Sequence, residues 1–156
     1  MKAMDVARVL CWLAENEASD GEDRLTNMRV QKLLYYCQGW HLAETGSPLF
    51  DESIEAWVHG PVVRGVYGQL RPYGANVIDP KDLGGYEADP TDAEERFIVS
   101  VWNTYKDYST TSLRDMTHRE TPWRTARRGI ADDAPSEAEI GHESMAAYFL
   151  PRLTVS

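Results

Sequence analysis

The stretch Asn27-Met28-Arg29-Val30-Gln31-Lys32-Leu33-Leu34-Tyr35-Tyr36-Cys37-Gln38-Gly39-Trp40-His41-Leu42-Ala43-Glu44 decides how the rest of the chain must be arranged. Val30, Leu33, Leu34, Cys37 and His41 recur at three- and four-residue spacing on one helical face, and Tyr36 and Trp40 widen it onto a neighbouring face. A surface helix needs only a narrow apolar stripe, so a band this wide predicts burial on more than one side. Residues 27–44 are therefore expected to form the central helix. Thr26 or Asn27 can accept the free amides of its first turn, Gly46 suits a left-handed cap, and Ser47-Pro48 prevents continuation.

Toward the amino terminus, Val6, Val9, Leu10 and Leu13 define one apolar stripe and predict a helix over 2–16, followed by a polar loop at 18–23. Past Pro48 the period changes: Phe50, Ile54, Ala56 and Val58 line up two by two, which predicts a short strand or loose hairpin over 49–59. Gly60-Pro61 should end it, with Pro61 as the first residue of a helix carrying Val62, Val63, Val66, Tyr67 and Leu70. Residues 75–90, with Pro80, Gly84, Gly85 and Pro90, predict a long surface loop.

Thr91 and Glu94 form a capping-box pair ahead of Phe97, Ile98, Val101, Trp102 and Tyr105, which predict a helix to about residue 107. Shorter helices are expected over 111–117 and over 122–128, the latter capped by Thr121, and a last one over 141–150. The expected fold is mainly α, with about six helices packed around the helix 27–44 and a small β-hairpin or strand pair near 49–59. Residues 1–156 are expected to form a single domain, because 156 residues at 42% hydrophobic content suffice for one ordinary core.

The chain shows no run of about 18 apolar residues, and Arg8 and Glu15 interrupt the amino-terminal stretch, so a soluble cytoplasmic protein is expected, with no membrane partner. Cys11 and Cys37 stand among apolar helical residues and read as buried reduced thiols, with a disulfide between neighbouring helices as the alternative. The formal charge of -9 repels phosphate backbones and attracts basic surfaces, so nucleic acid is disfavoured as the main partner. Arg114, Arg119, Arg124, Arg127 and Arg128 nevertheless cluster, and a solvated helix face is the simplest meaning of such a run.

An enzyme would need a nucleophile, a base and charge-stabilising groups held together. His41, His59, His118 and His142 show no metal-ligand spacing, and no glycine-rich phosphate loop occurs, so no catalytic residue, metal or cofactor is assigned. Three of them have a structural reading: His41 packs on the apolar face with a ring nitrogen bonded to backbone or hydroxyl, His59 closes a turn, and a protonated His118 would meet the carbonyl dipoles of a helix end. What remains is a set of large aromatics. Core places are expected for Trp40, Trp57 and Trp102, and surface anchoring for Tyr35, Tyr73 and Trp123, since tryptophan, tyrosine and arginine are the residues that anchor interfaces.

Three blocks resemble the Panacea domain family, whose SocA-like and GepA-like members are antitoxins and phage-associated proteins. They are Lys32 to Leu42 with the lead-in from Thr26; Pro48-Leu49-Phe50 through Ile54-Glu55-Ala56-Trp57-Val58-His59-Gly60-Pro61-Val62-Val63; and Leu113 to Thr117 with His118-Arg119-Glu120-Thr121-Pro122-Trp123. The resemblance implies a protein-binding module, not an enzyme, that neutralises a cognate toxin by direct binding, or by acting as an adaptor to a protease complex. The acidic surface suits a basic toxin, and the expected partner-binding residues are Tyr35, Tyr73, His118, Arg119 and Trp123. The alternative is a small metal- or histidine-dependent hydrolase using His41, His59 and His118 with Glu55 or Glu120.

Overall fold

A computed structural model describes residues 1–17 and 24–153. The loop expected at 18–23 lies outside the described residues. Seven α-helices are present among those described: α1 (Ala3–Glu17), α2 (Asn27–Thr45), α3 (Arg64–Leu70), α4 (Asp92–Tyr105), α5 (Thr110–Arg119), α6 (Thr121–Ala126) and α7 (His142–Phe149). Three short strands, β1 (Ile54–Trp57), β2 (Gly60–Val62) and β3 (Glu139–Ile140), form an antiparallel sheet in the order β2-β1-β3.

α2 is the hub, packed by α1, α3, α4, α5, α7 and β2. Its ends follow the rules read from the sequence. Thr26 accepts a hydrogen bond from the Arg29 amide, and Gly46 takes φ 76° while its N–H returns to the Leu42 carbonyl. All-round burial has a consequence for polar residues: they must be satisfied inside, because an unpaired buried polar group costs about 1–3 kcal/mol. Gln38 meets this demand by donating to the Phe50 carbonyl and accepting from the Leu49 amide, and Gln31 by accepting from the Val63 amide. These two glutamines fasten both ends of the β1–β2 region to the helix.

The capping box at Thr91 and Glu94 is formed in both directions, and α4 follows directly. Cys11 and Cys37 are buried free thiols, as expected, and burial pushes Cys11 up to about 12. Segment 75–90 is pinned rather than loose: Asp5 accepts from the Glu87 and Ala88 amides, Arg8 donates to the Leu83 carbonyl, and the Ile78 amide donates to the Leu25 carbonyl.

Two boundaries differ from expectation. α6 starts at Thr121, the expected cap, with Glu120 as its cap instead, and it ends at Ala126. Pro61 does not open a helix; it sits in β2 opposite Ala56, and α3 starts only at Arg64 with Val63 as its cap. β2 is an edge strand of the sheet, where a residue lacking an N–H leaves no ladder bond unmade. A third difference is β3, whose two residues pair Ile140 with Ile54 and Glu139 with Glu55 and were not expected from the sequence.

Candidate functional site

The three sequence blocks meet where α2, the β1–β2 hairpin and the α5–α6 junction come together. Glu120 lies at the centre. Its backbone caps α6, and its two carboxyl oxygens accept hydrogen bonds from the Tyr35 hydroxyl at 2.9 Å and the Tyr36 hydroxyl at 3.0 Å. Burial pushes this carboxyl up to about 7, against the pull of the two phenolic donors and of Arg152 and Arg119. The phenols move the other way: burial, with the adjacent Glu120 charge, holds both well above the ordinary tyrosine value. Tyr36 stacks on Tyr105 with centroids 4.0 Å apart, and Tyr105 accepts at its hydroxyl from the Trp40 indole.

Trp123 makes the second clasp. Its indole N–H donates to the Trp57 carbonyl at 2.8 Å, the His118 ring stacks on it at 4.2 Å, and the Arg127 guanidinium lies 4.9 Å from its centroid. Arg127 is itself buried and donates to the carbonyls of Ala56, Ala131 and Ala134, which ties α6 to β1 and to the segment leading into β3.

Lys32 completes the junction. Its side chain is wholly buried beneath the hairpin, where a Cβ on Gly60 would stand 2.7 Å from Lys32 Cε and 3.1 Å from Thr117 Oγ1. Gly60 also has φ 119°, so both space and backbone demand glycine there. Desolvation, with the Arg114 charge adding to it, lowers the Lys32 ammonium to about 7. Lys32 Nζ and His118 Nε2 have no hydrogen-bond partner among the described residues. Burial, Arg114 and Lys32 together hold His118 below the ordinary histidine value, and the ring, which lies in the last turn of α5 as expected, stacks on Trp123.

Two of the expected surface anchors are inside. Tyr35 is 0% exposed and Trp123 is 1% exposed, because the Tyr35 hydroxyl and the Trp123 N–H find buried partners at Glu120 and Trp57 and neither ring needs water at its polar tip. Arg119 is exposed and His118 half-buried at the same junction. Tyr73 is half-buried elsewhere, against the core and near Asp79, Asp82 and Cys11. Of the expected core tryptophans, Trp102 is buried, whereas Trp40 and Trp57 are half-buried.

The histidines of the hydrolase alternative have separate surroundings. His41 bonds the Ser47 carbonyl and packs edge-on against Phe97, His59 is exposed in the hairpin turn, and His118 stacks on Trp123. Glu55 pairs with Arg64 and accepts from the Trp57 indole, while both oxygens of Glu120 are held by tyrosines. Among the described residues no group of three or more His, Cys, Asp and Glu side chains is placed to hold a metal ion. None of the described helices is long and apolar enough to cross a membrane.

Lys32, Glu120 and Arg127 were not singled out as buried by sequence reasoning. For Lys32 the available signal was the width of the α2 band, since a helix buried all round must bury its polar residues too; Glu120 and Arg127, at the two ends of α6, carried no such local signal.

A mainly helical module whose buried polar junction joins a central helix, a small hairpin and a proline-led turn defines the class. Residues 30–124 match the family described as antitoxin SocA-like, Panacea domain, and the chain belongs to that family. Antitoxin SocA of Caulobacter vibrioides is 37% identical over 70 residues, covering 45% of this chain. The match spans 36% of that relative's length. No solved structure matches.

Proposed function

We propose that this protein is an antitoxin that neutralises a cognate toxin by binding it directly, with residues 1–156 acting as one unit. The observation that carries the reading is the use made of the family-matched blocks. Their chemically distinctive residues hold one another: Glu120 with Tyr35 and Tyr36, and Trp123 with Trp57 and His118. Such a junction is a scaffold, and recognition then belongs to the surface it fixes, which includes the exposed His59 and Arg119 and the half-buried His118. Tyr73 is a separate candidate contact on another part of the surface. The excess of acidic side chains, 25 against 16 basic, favours a toxin that is basic overall.

The test is co-expression with the product of the adjacent gene. Growth arrest by that product should be relieved by this protein, and the two should elute as one complex. Failure of both would remove the reading. Toxin levels in strains with and without the ATP-dependent proteases distinguish the routes: a steady toxin level means sequestration, and a fall seen only with an intact protease means delivery for degradation.

A further inference from the structure

The charge of this molecule is segregated. Residues 114–128 hold five of the 16 basic side chains and only two of the 25 acidic ones, and one of those two, Glu120, is buried. The rest of the chain is correspondingly more acidic than the total of -9 suggests. Of the five arginines, Arg114, Arg119, Arg124 and Arg128 are exposed, and among the described residues none of the five forms an ion pair with a carboxylate.

A recess of about 440 Å³ opens on this side of α6, lined by Arg124, Arg127, Arg128, the hydroxyl-bearing Thr121 and Thr125, and Asp132 on the following loop. Its construction distinguishes it from a solvated helix face. Arg127 is 2% exposed, and its bonds go to the carbonyls of Ala56, Ala131 and Ala134, so a full positive charge is built into the wall with neutral acceptors only. Its Nε has no hydrogen-bond partner among the described residues. Arg127 forms no ion pair among the described residues, Asp132 included, and a buried charge that is not paired keeps its field in a medium that screens poorly. Arg124 and Arg128 add two exposed charges to the lining, and Arg124 makes a 3.4 Å bond to the His118 carbonyl.

We infer that this arginine recess is a docking site for an acidic segment of the partner protein, with Arg124 and Arg128 engaging its carboxylates and Arg127 supplying fixed positive potential behind them. Guanidinium forks match carboxylates in geometry, and such charge-assisted bonds are among the stronger ones proteins make. A nucleic acid would offer phosphates to the same groups. It carries a charge about every 1.7 Å along a duplex, however, and would run beyond the recess onto the acidic remainder of the surface. A short acidic segment meets only the patch. The inference rests on the antitoxin reading for the identity of the partner, and on the recess alone for the chemistry that partner must present.

The experiment has two arms. In the first, wild type and the double variant Arg124→Glu/Arg128→Glu are co-expressed with the adjacent gene's toxin, and both are checked for unchanged thermal unfolding, as expected for exposed positions. Rescue by wild type with at least about tenfold weaker complex formation by the variant supports the inference. Equal rescue and equal affinity overturn it while leaving the antitoxin reading intact, and failure of the wild type itself counts against that reading only. In the second arm a labelled octaglutamate peptide and a short DNA duplex are each titrated into the isolated protein. Binding of the peptide that weakens with salt and is lost in the variant supports an acidic segment. Preferential binding of the duplex, or binding of neither, overturns it.

Discussion

The Trp123 ring touches three parts of the structure at once: the hairpin through its bond to the Trp57 carbonyl, α5 through the stacked His118 ring, and its own helix through Arg127. Truncation to alanine removes all three contacts and leaves a cavity in a closed interior, an expected loss of about 3–5 kcal/mol. Trp40 is half-buried and keeps one bond to the Tyr105 hydroxyl and a contact with Phe149, so part of the space its removal opens is filled by water. Trp123→Ala should therefore lower the denaturation midpoint more than Trp40→Ala, and the reverse order would show that the interior at α6 is looser than described. The sequence pointed the other way, with Trp123 outside and Trp40 in the core. Residue type carries the tendency of tryptophan to anchor something, but not whether the anchor holds a partner or a strand of the same chain. What decides here is a carbonyl 66 positions away for Trp123 and a carboxylate 85 positions away for Tyr35, and no local pattern encodes either.

Helices α2 and α7 approach closely at Gly39, where a Cβ would stand 2.1 Å from Phe149 Cε2 and 2.4 Å from Cδ2. An alanine at an exposed helical position gains about 1 kcal/mol over glycine from backbone entropy. At Gly39 that gain should be outweighed by overpacking of about 1–3 kcal/mol. Gly39→Ala is thus expected to lower stability and speed amide exchange in His142–Phe149, while the double variant Gly39→Ala/Phe149→Leu recovers part of the loss. A stabilised Gly39→Ala protein would contradict the close packing of these two helices. Element existence was largely legible, because helical periods and caps are local: α1, α2 and α4 fall within a residue or two of their expected bounds, and Thr91 with Glu94 marked the start of α4 outright. The misses are elements whose identity is conferred from outside. Pro61 follows glycine and reads as a helix start, yet the edge of a three-stranded sheet accommodates it, and Gln31 takes the Val63 amide just before α3 begins. β3 is two residues long and exists only because Ile54 lies opposite Ile140.

The whole molecule couples its fold to pH through the same junction. Total charge was legible from composition, as was the arginine run, but the placement of Lys32, Glu120 and His118 around one buried seam was not, since they come from helices α2 and α5 and the turn after it. Glu120 titrates at about 7 in the folded protein against the ordinary 4.5, so between those values the folded state holds a proton that the unfolded chain releases. Its contribution is full below about pH 4.5 and is lost as pH rises through 7, worth about 3 kcal/mol at most for a shift of this size. Lys32 runs oppositely. Its folded value of about 7 lies below the ordinary 10.5, so the cost of a buried ammonium is full below about pH 7 and is relieved as pH rises toward 10.5. His118, lowered from 6.5, reinforces the Lys32 direction at acid pH, and Cys11, raised from 9.0 to about 12, opposes it above pH 9. The wild-type curve sums these with the other shifted groups, Cys37, Tyr35 and Tyr36 among them, so the informative quantity is the difference from each variant in chemical denaturation. Relative to Glu120→Gln, the wild type should lose its advantage between about pH 5 and 7. Lys32→Met keeps a carbon chain of similar length beside Gly60 without the charge, and should exceed the wild type most at about pH 6 and least near pH 9. Differences that stay constant across this range in both variants would mean that neither group changes protonation on folding, and that the junction is held by packing and neutral hydrogen bonds alone.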